Sequence, residues 1–117
     1  MAWADETTLL SSESVSDTEE FGTGVTLSPG EQAHIQVKCV RGGTTDDLYI
    51  RVYSQVDDTN YDTEPLYSFT LETANDATAY ISFVMSGIYG FKVGVESAGA
   101  TDDHIITILC KKDGVSL

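Results

Sequence analysis

Apolar residues recur at every second position along most of this chain, a period that suits half-buried β-strands and no helix. In HIQVKCV (34–40), Ile35, Val37 and Cys39 face one way, and His34, Gln36 and Lys38 the other. DLYIRVYS (47–54) sets Leu48, Ile50 and Val52 inward and Tyr49, Arg51 and Tyr53 outward. YSFTL (67–71), AYISFVM (79–85) and IYGFKVGVE (88–96) alternate in the same manner. HIITILC (104–110) is apolar on both faces except at Thr107. Between the runs lie SPGEQ, RGGTTDD, DDTNYDTEP, TAND, SG and AGATDD, each a cluster of turn-forming residues. Short strands around 7–10 and 24–27 bring the count to seven or eight. The pattern predicts an all-β fold, a single antiparallel β-sandwich. A length of 117 residues suits one core.

Charge narrows the partners. Six Lys and Arg stand against nineteen Asp and Glu, a formal charge of -13. Such a field repels phosphates and anionic lipid, so neither nucleic acid nor a membrane is expected as a partner. The start, MAWADETTLL, has neither the basic nor the apolar region of a secretory signal. A chain kept in a reducing compartment is expected to hold Cys39 and Cys110 as buried free thiols, with a disulfide between them the less favoured alternative.

The first thirty residues contain no Lys or Arg. Asp5, Glu6, Glu13, Asp17, Glu19 and Glu20 are interspersed with Trp3, Leu9, Leu10 and Phe21. We read residues 1–20 as an acidic N-terminal arm and 21–117 as the sandwich domain. The arm is either a solvated arm ending in an edge strand or a segment that orders on a neighbouring subunit through Trp3, Leu9 and Leu10. On either reading, deleting residues 1–12 leaves the sandwich folded.

Asp58, Asn60 and Asp62 alternate as at the start of a calcium loop. The glycine after the third ligand is missing, and Phe69 stands where a bidentate Glu belongs. These three are weak metal candidates, and solvation of the sheet end is the favoured role. Catalysis has less support. No nucleophile-elbow sequence is present, and Cys39 sits mid-strand facing the core. His34 and His104 each open a strand. The expectation is a protein without catalytic residues or cofactor.

Two resemblances add to this. VTLSPGEQAHIQVKCV, DDLYIRVYS and SGIYGFKVGVESAG, within 25–110, resemble the jelly-roll or immunoglobulin-like modules attached to secreted bacterial enzymes. In the immunoglobulin-like case, Tyr89 would hold the place of the tyrosine that braces a corner; the alternative is an ordinary buried tyrosine near a turn. LLSSESVSDTEEFGTGVTLSPGE (9–31) resembles the opening of small structural proteins of tailed bacteriophages. That resemblance implies a capsid decoration, or cement, protein made in the host cytoplasm. Such a protein sits on the capsid surface, bridges major capsid subunits and often forms trimers.

Two outward sets suit contact with a major capsid protein or another virion protein. Tyr49, Arg51 and Tyr53 are residue types enriched at interface hot spots. Ile105 and Leu109 have no use inside if Ile106 and Ile108 fill the core. The rival expectation is a carbohydrate- or receptor-binding module of head-fibre or tail-tip type. There Tyr49, Tyr53, Tyr61 and Tyr67 would supply rings, and Asp57, Asp58 and Asn60 polar contacts.

Overall fold

A computed structural model describes residues 5–41, 47–72, 78–99 and 104–114. Among them are nine strands: β1 (Thr7–Val15), β2 (Glu20–Phe21), β3 (Val25–Thr26), β4 (Gln32–Arg41), β5 (Leu48–Gln55), β6 (Tyr67–Leu71), β7 (Thr78–Ser86), β8 (Gly90–Ser97) and β9 (His104–Asp113). They form two antiparallel sheets, ordered β1-β9-β4-β7 and β2-β8-β5-β6, with β3 also paired to β8. The all-β sandwich expected from the alternation is therefore observed.

The strand count exceeds the expected seven or eight because one strand is interrupted. Glu20 and Phe21 pair with Val95 and Gly94, and Val25 and Thr26 with Phe91 and Gly90, so β2 and β3 share one edge of β8. Counted as one, they leave eight strands that pair first with last, second with seventh, third with sixth and fourth with fifth. This nested hairpin is rolled up by the pairing of β9 with β4 and of β8 with β5. Of the two sandwich types left open by the sequence, that wiring is the jelly roll.

The inner faces are the ones the alternation marks. Ile35, Val37 and Cys39 of β4 and Ile106 and Ile108 of β9 are fully buried, as are Leu48, Ile50 and Val52 of β5 and Phe91, Val93 and Val95 of β8. These four strands are central in their sheets, so each packs its apolar face against the opposite layer over its whole length. Both cysteines are free and buried. Cys39 lies opposite Ile106 and Cys110 opposite Ile35, which separates the two by four residues along β4. At about 3.3 Å per residue that is ~13 Å, well beyond disulfide reach.

β1 contains the short strand expected around 7–10 and extends it, which draws much of the arm into the sandwich as an edge strand. Trp3 lies outside the described residues, but Thr7–Val15 is a strand of the body, paired with β9, and Leu9 and Val15 belong to the core. Sequence alternation fails here for a physical reason. The register shifts twice, between Thr8 and Leu10 and between Leu10 and Glu13, and Ser12 takes a left-handed φ of 47°. Each extra residue resets which face the next side chain occupies, so no period two survives. Deleting residues 1–12 would thus remove Leu9 and most of an edge strand.

The two sides of the sandwich differ in closure. On the β1/β2 side, Thr23 N–H donates to the Leu9 carbonyl (2.8 Å) and Ser97 N–H to the Ser16 carbonyl (2.8 Å), so backbone hydrogen bonds cross between layers. Gly22 sits so close to Leu9 that a Cβ there would come within 3.2 Å of the Leu9 carbonyl oxygen. On the β6/β7 side, the rings of Phe69 and Phe83 meet with centroids 5.2 Å apart. Around them Leu71 and Ile81 are only partly buried, and Val56, Leu66 and Tyr67 are exposed.

Candidate functional site

Two surfaces gather the residues singled out in the sequence, and they lie on opposite layers. The first is the outer face of the β2-β8-β5-β6 sheet. Tyr49, Arg51 and Tyr53 alternate outward on β5, facing Glu96, Gly94 and Lys92 of β8. A Cβ at Gly94 would strike the Glu19 carboxylate and the edge of the Phe21 ring. Glycine at that point lets the segment entering β2 lie flat on the sheet. Glu19 then accepts hydrogen bonds from the Tyr53 hydroxyl (3.0 Å) and from Arg51 (3.4 Å), while Arg51 also donates to Glu96 (2.9 Å).

The hydrogen bond and charge of Glu96, with those of Glu19, raise the Arg51 pKa further, so the guanidinium stays charged. Burial, and next the Glu19 carboxylate, raise the Tyr53 pKa and keep that hydroxyl a donor. Tyr53 is thus a buried strut rather than the exposed contact expected of it, at 8% exposure. The Arg51 guanidinium lies 5.5 Å from the Tyr49 ring centre.

Beside this network is a cage that sequence reasoning missed. The Lys92 ammonium stands 3.9 Å from the centre of the Phe21 ring, 4.6 Å from Tyr61 and 5.9 Å from Tyr53. Each is within cation–π range, and Lys92 belongs to the chain itself, so the three rings hold an internal cation. Asn60 and Asp62 complete the rim of a cleft of about 370 Å³. Tyr53 and Tyr61 come from β5 and the loop after it and Phe21 from far earlier in the chain, and only Gly94, two residues past Lys92 on the polar side of β8, hints at something laid across the strand.

The β5–β6 loop does not assemble the calcium arrangement. The Asp57 carboxylate accepts the backbone N–H groups of Asn60 and Thr59, both at 2.7 Å. Those two bonds hold its pKa below the usual carboxylate range. Asp58 accepts the Tyr89 hydroxyl, and Asp62 N–H donates to the Ser54 carbonyl (2.8 Å). Among the described residues, no three His, Cys, Asp or Glu side chains come together as a metal would require. Tyr89 is exposed and bound to a side-chain carboxylate, so it ties this loop to β8 and braces no buried corner.

The second surface is the outer face of β9, β4 and β7. Ile106 and Ile108 fill the core, which leaves Ile105 and Leu109 pointing away from it, half-buried. Register sets five rows across the three strands: Thr78–Val40–Ile105, Tyr80–Lys38–Thr107, Ser82–Gln36–Leu109, Val84–His34–Lys111 and Ser86–Gln32–Asp113. Of these fifteen residues only Asp113, in the row at one end, is an acid, although the chain carries -13. A depression of about 180 Å³ lies on this face between His34, Gln36, Leu109 and Lys111, with Glu6 at its rim. Of the other residues named from sequence, Leu9 is in the core and Leu10 packs against it.

Burial drives the thiols the same way, with the Cys39 pKa pushed up to about 11 and that of Cys110 also raised. Neither is therefore a thiolate near neutral pH. Comparison with protein families, with curated proteins and with solved structures finds no match to this chain.

Proposed function

We propose that this chain is a non-enzymatic virion structural protein of the capsid decoration class, which stabilises a tailed-phage head by bridging major capsid subunits. The observation that carries this reading is the acid-poor outer face of β9, β4 and β7, where Asp113 at one end is the single acid among the paired residues. It combines Val40, Tyr80, Val84, Ile105 and Leu109 with Lys38 and Lys111 on a protein that is otherwise strongly acidic. A flat face of that composition suits an apolar contact with a carboxylate-bearing rim, the arrangement of a stable protein interface. The rest of the surface, being negative, discourages contact elsewhere. Jelly rolls serve in capsids and in lectins alike, so the fold alone does not choose.

The test uses empty expanded shells of the major capsid protein encoded in the same genome. The intact protein should decorate them. Leu109→Glu, combined with Ile105→Glu, should weaken binding at least tenfold, about 1.4 kcal/mol, with the fold retained. Raised salt should weaken the wild-type contact too. Shells that stay bare would end this reading.

A second reading, carbohydrate or receptor recognition, draws on the cleft of Phe21, Tyr53, Tyr61, Asn60 and Asp62. Rings beside amide and carboxylate groups suit a sugar, and a sugar entering there would have to displace the Lys92 ammonium. Glycan binding that is lost in Tyr61→Ala would favour this second reading over the first.

A further inference from the structure

β7 is nine residues long and, among the described residues, pairs with β4 along one edge and with nothing along the other. Its pairing with β4 runs unbroken from Thr78 to Ser86. Its sequence, TAYISFVMS, contains no charge, no proline and no glycine. Exposed strand edges are normally blunted by such residues or by bulges, because an open row of N–H and C=O groups recruits another strand. β1, at the opposite edge of the same sheet, shows that protection, with two register shifts and with Glu13 in the strand. β7 has none of it.

We infer that β7 is a dimerisation edge, and that its occupant is β7 of a second copy, antiparallel about a two-fold axis through Ser82. The sequence is self-complementary in that register. Tyr80 and Val84, each two residues from Ser82, are the strand's exposed large apolar residues, at 56% and 51% exposure. The two-fold sets Tyr80 of one copy against Val84 of the other, twice. Ile81 and Phe83, each one residue from Ser82 and partly buried against the core, meet in the same way.

All four are pairs of an aromatic with a β-branched residue, a favourable combination across antiparallel strands. A strand from an unrelated partner would demand no such symmetry. Electrostatics agrees, since β4 and β7 contain no Asp or Glu. This is where two chains of charge -13 can meet with least repulsion. The pairing closes with two copies and builds one eight-stranded sheet. It stands on β7 alone and does not depend on capsid binding.

The test measures the mass of the free protein in solution, by light scattering or sedimentation equilibrium, at hundreds of micromolar. The expected mass is twice 12.6 kDa. Tyr80→Glu with Val84→Glu sets like charges opposite each other across the two-fold, and should weaken dimerisation at least tenfold with an unchanged circular dichroism spectrum. Tyr80→Glu with Val84→Lys sets opposite charges at the same places and should restore the dimer. Ser82→Cys puts one accessible thiol on the axis and should cross-link two copies under mild oxidation, whereas Thr70→Cys on β6 should not. A monomeric or trimeric wild type would overturn the proposal. So would a dimer that ignores both charge pairs or that fails to cross-link through Cys at position 82.

Discussion

The two long sides of the sandwich are made from similar residue types yet finished differently. Where β1 meets β2, backbone hydrogen bonds pass between the layers, a glycine admits close approach, and Leu9 is nearly sealed at 6% exposure. Where β6 faces β7, two phenylalanine rings meet, while Val56, Leu66 and Tyr67 remain in water. Closure on one side keeps the edge strand from recruiting neighbours. Its absence on the other leaves apolar surface and an unguarded strand available to something else. Four measurements would break or sharpen that contrast.

Leu9→Ala should have the largest effect, destabilising by about 2–5 kcal/mol in a denaturant titration, as a buried leucine on the closed side should. Phe83→Ala, on the open side, should cost clearly less than a fully buried phenylalanine, because water already reaches part of its surface. Equal costs would mean that the two sides are equally sealed.

The middle of the sandwich supplies the next test. Burial raises the Cys39 pKa from 9.0 to about 11, so the folded state favours the neutral thiol. That stabilisation is complete below pH 9 and is lost as pH rises through the folded value near 11. The full loss is on the order of 2 kcal/mol. Cys39→Ala should flatten this part of the pH–stability curve. An unchanged slope would show that the thiol is not sealed between the layers.

Gly22→Ala comes third. The new methyl would press on the Leu9 backbone, which is held by its own hydrogen bond to Thr23, and should cost about 1–3 kcal/mol. A neutral result would show that the closed side yields easily. Smallest of all, Tyr80→Thr on the open edge should shift stability by no more than ~0.5 kcal/mol in dilute solution, where the monomer predominates. A greater loss there would mean that β7 contributes to the fold of a single chain.

Legibility in the sequence followed the same division. β4, β5, β8 and β9 could be read by alternation because each packs one face on the opposite layer without interruption, and Ile106 and Ile108 proved to be core residues as expected. β1 was read only as a short strand around 7–10 because its bulges break the alternation, β3 was expected around 24–27, and β2, at two residues, is too short to show any period. The Lys92 cage was invisible because it depends on Phe21, Tyr53 and Tyr61 arriving from three parts of the chain. Alternation marked Lys92 only as outward. Ile105 and Leu109 were identifiable as surplus apolar residues on a two-faced strand. Their acid-poor surroundings emerged only once register had set β4 and β7 beside them.

The nested wiring also sets the order in which the molecule can be made. Thr7 pairs with Cys110, and β9 lies between β1 and β4, with a bulged ladder to the first and an unbroken one to the second. During synthesis, every strand before β9 leaves the ribosome while that central place is still empty. The first sheet is then divided, with β1 lacking the partner β9 and β4 bare along one edge. Folding must therefore wait for the last strand to insert. Loops that close over such long stretches of chain put the molecule among the slow folders, on a scale of milliseconds to seconds. Until β9 is seated, the nascent protein presents several recruiting edges, and its escape from aggregation depends on how fast that one strand goes in.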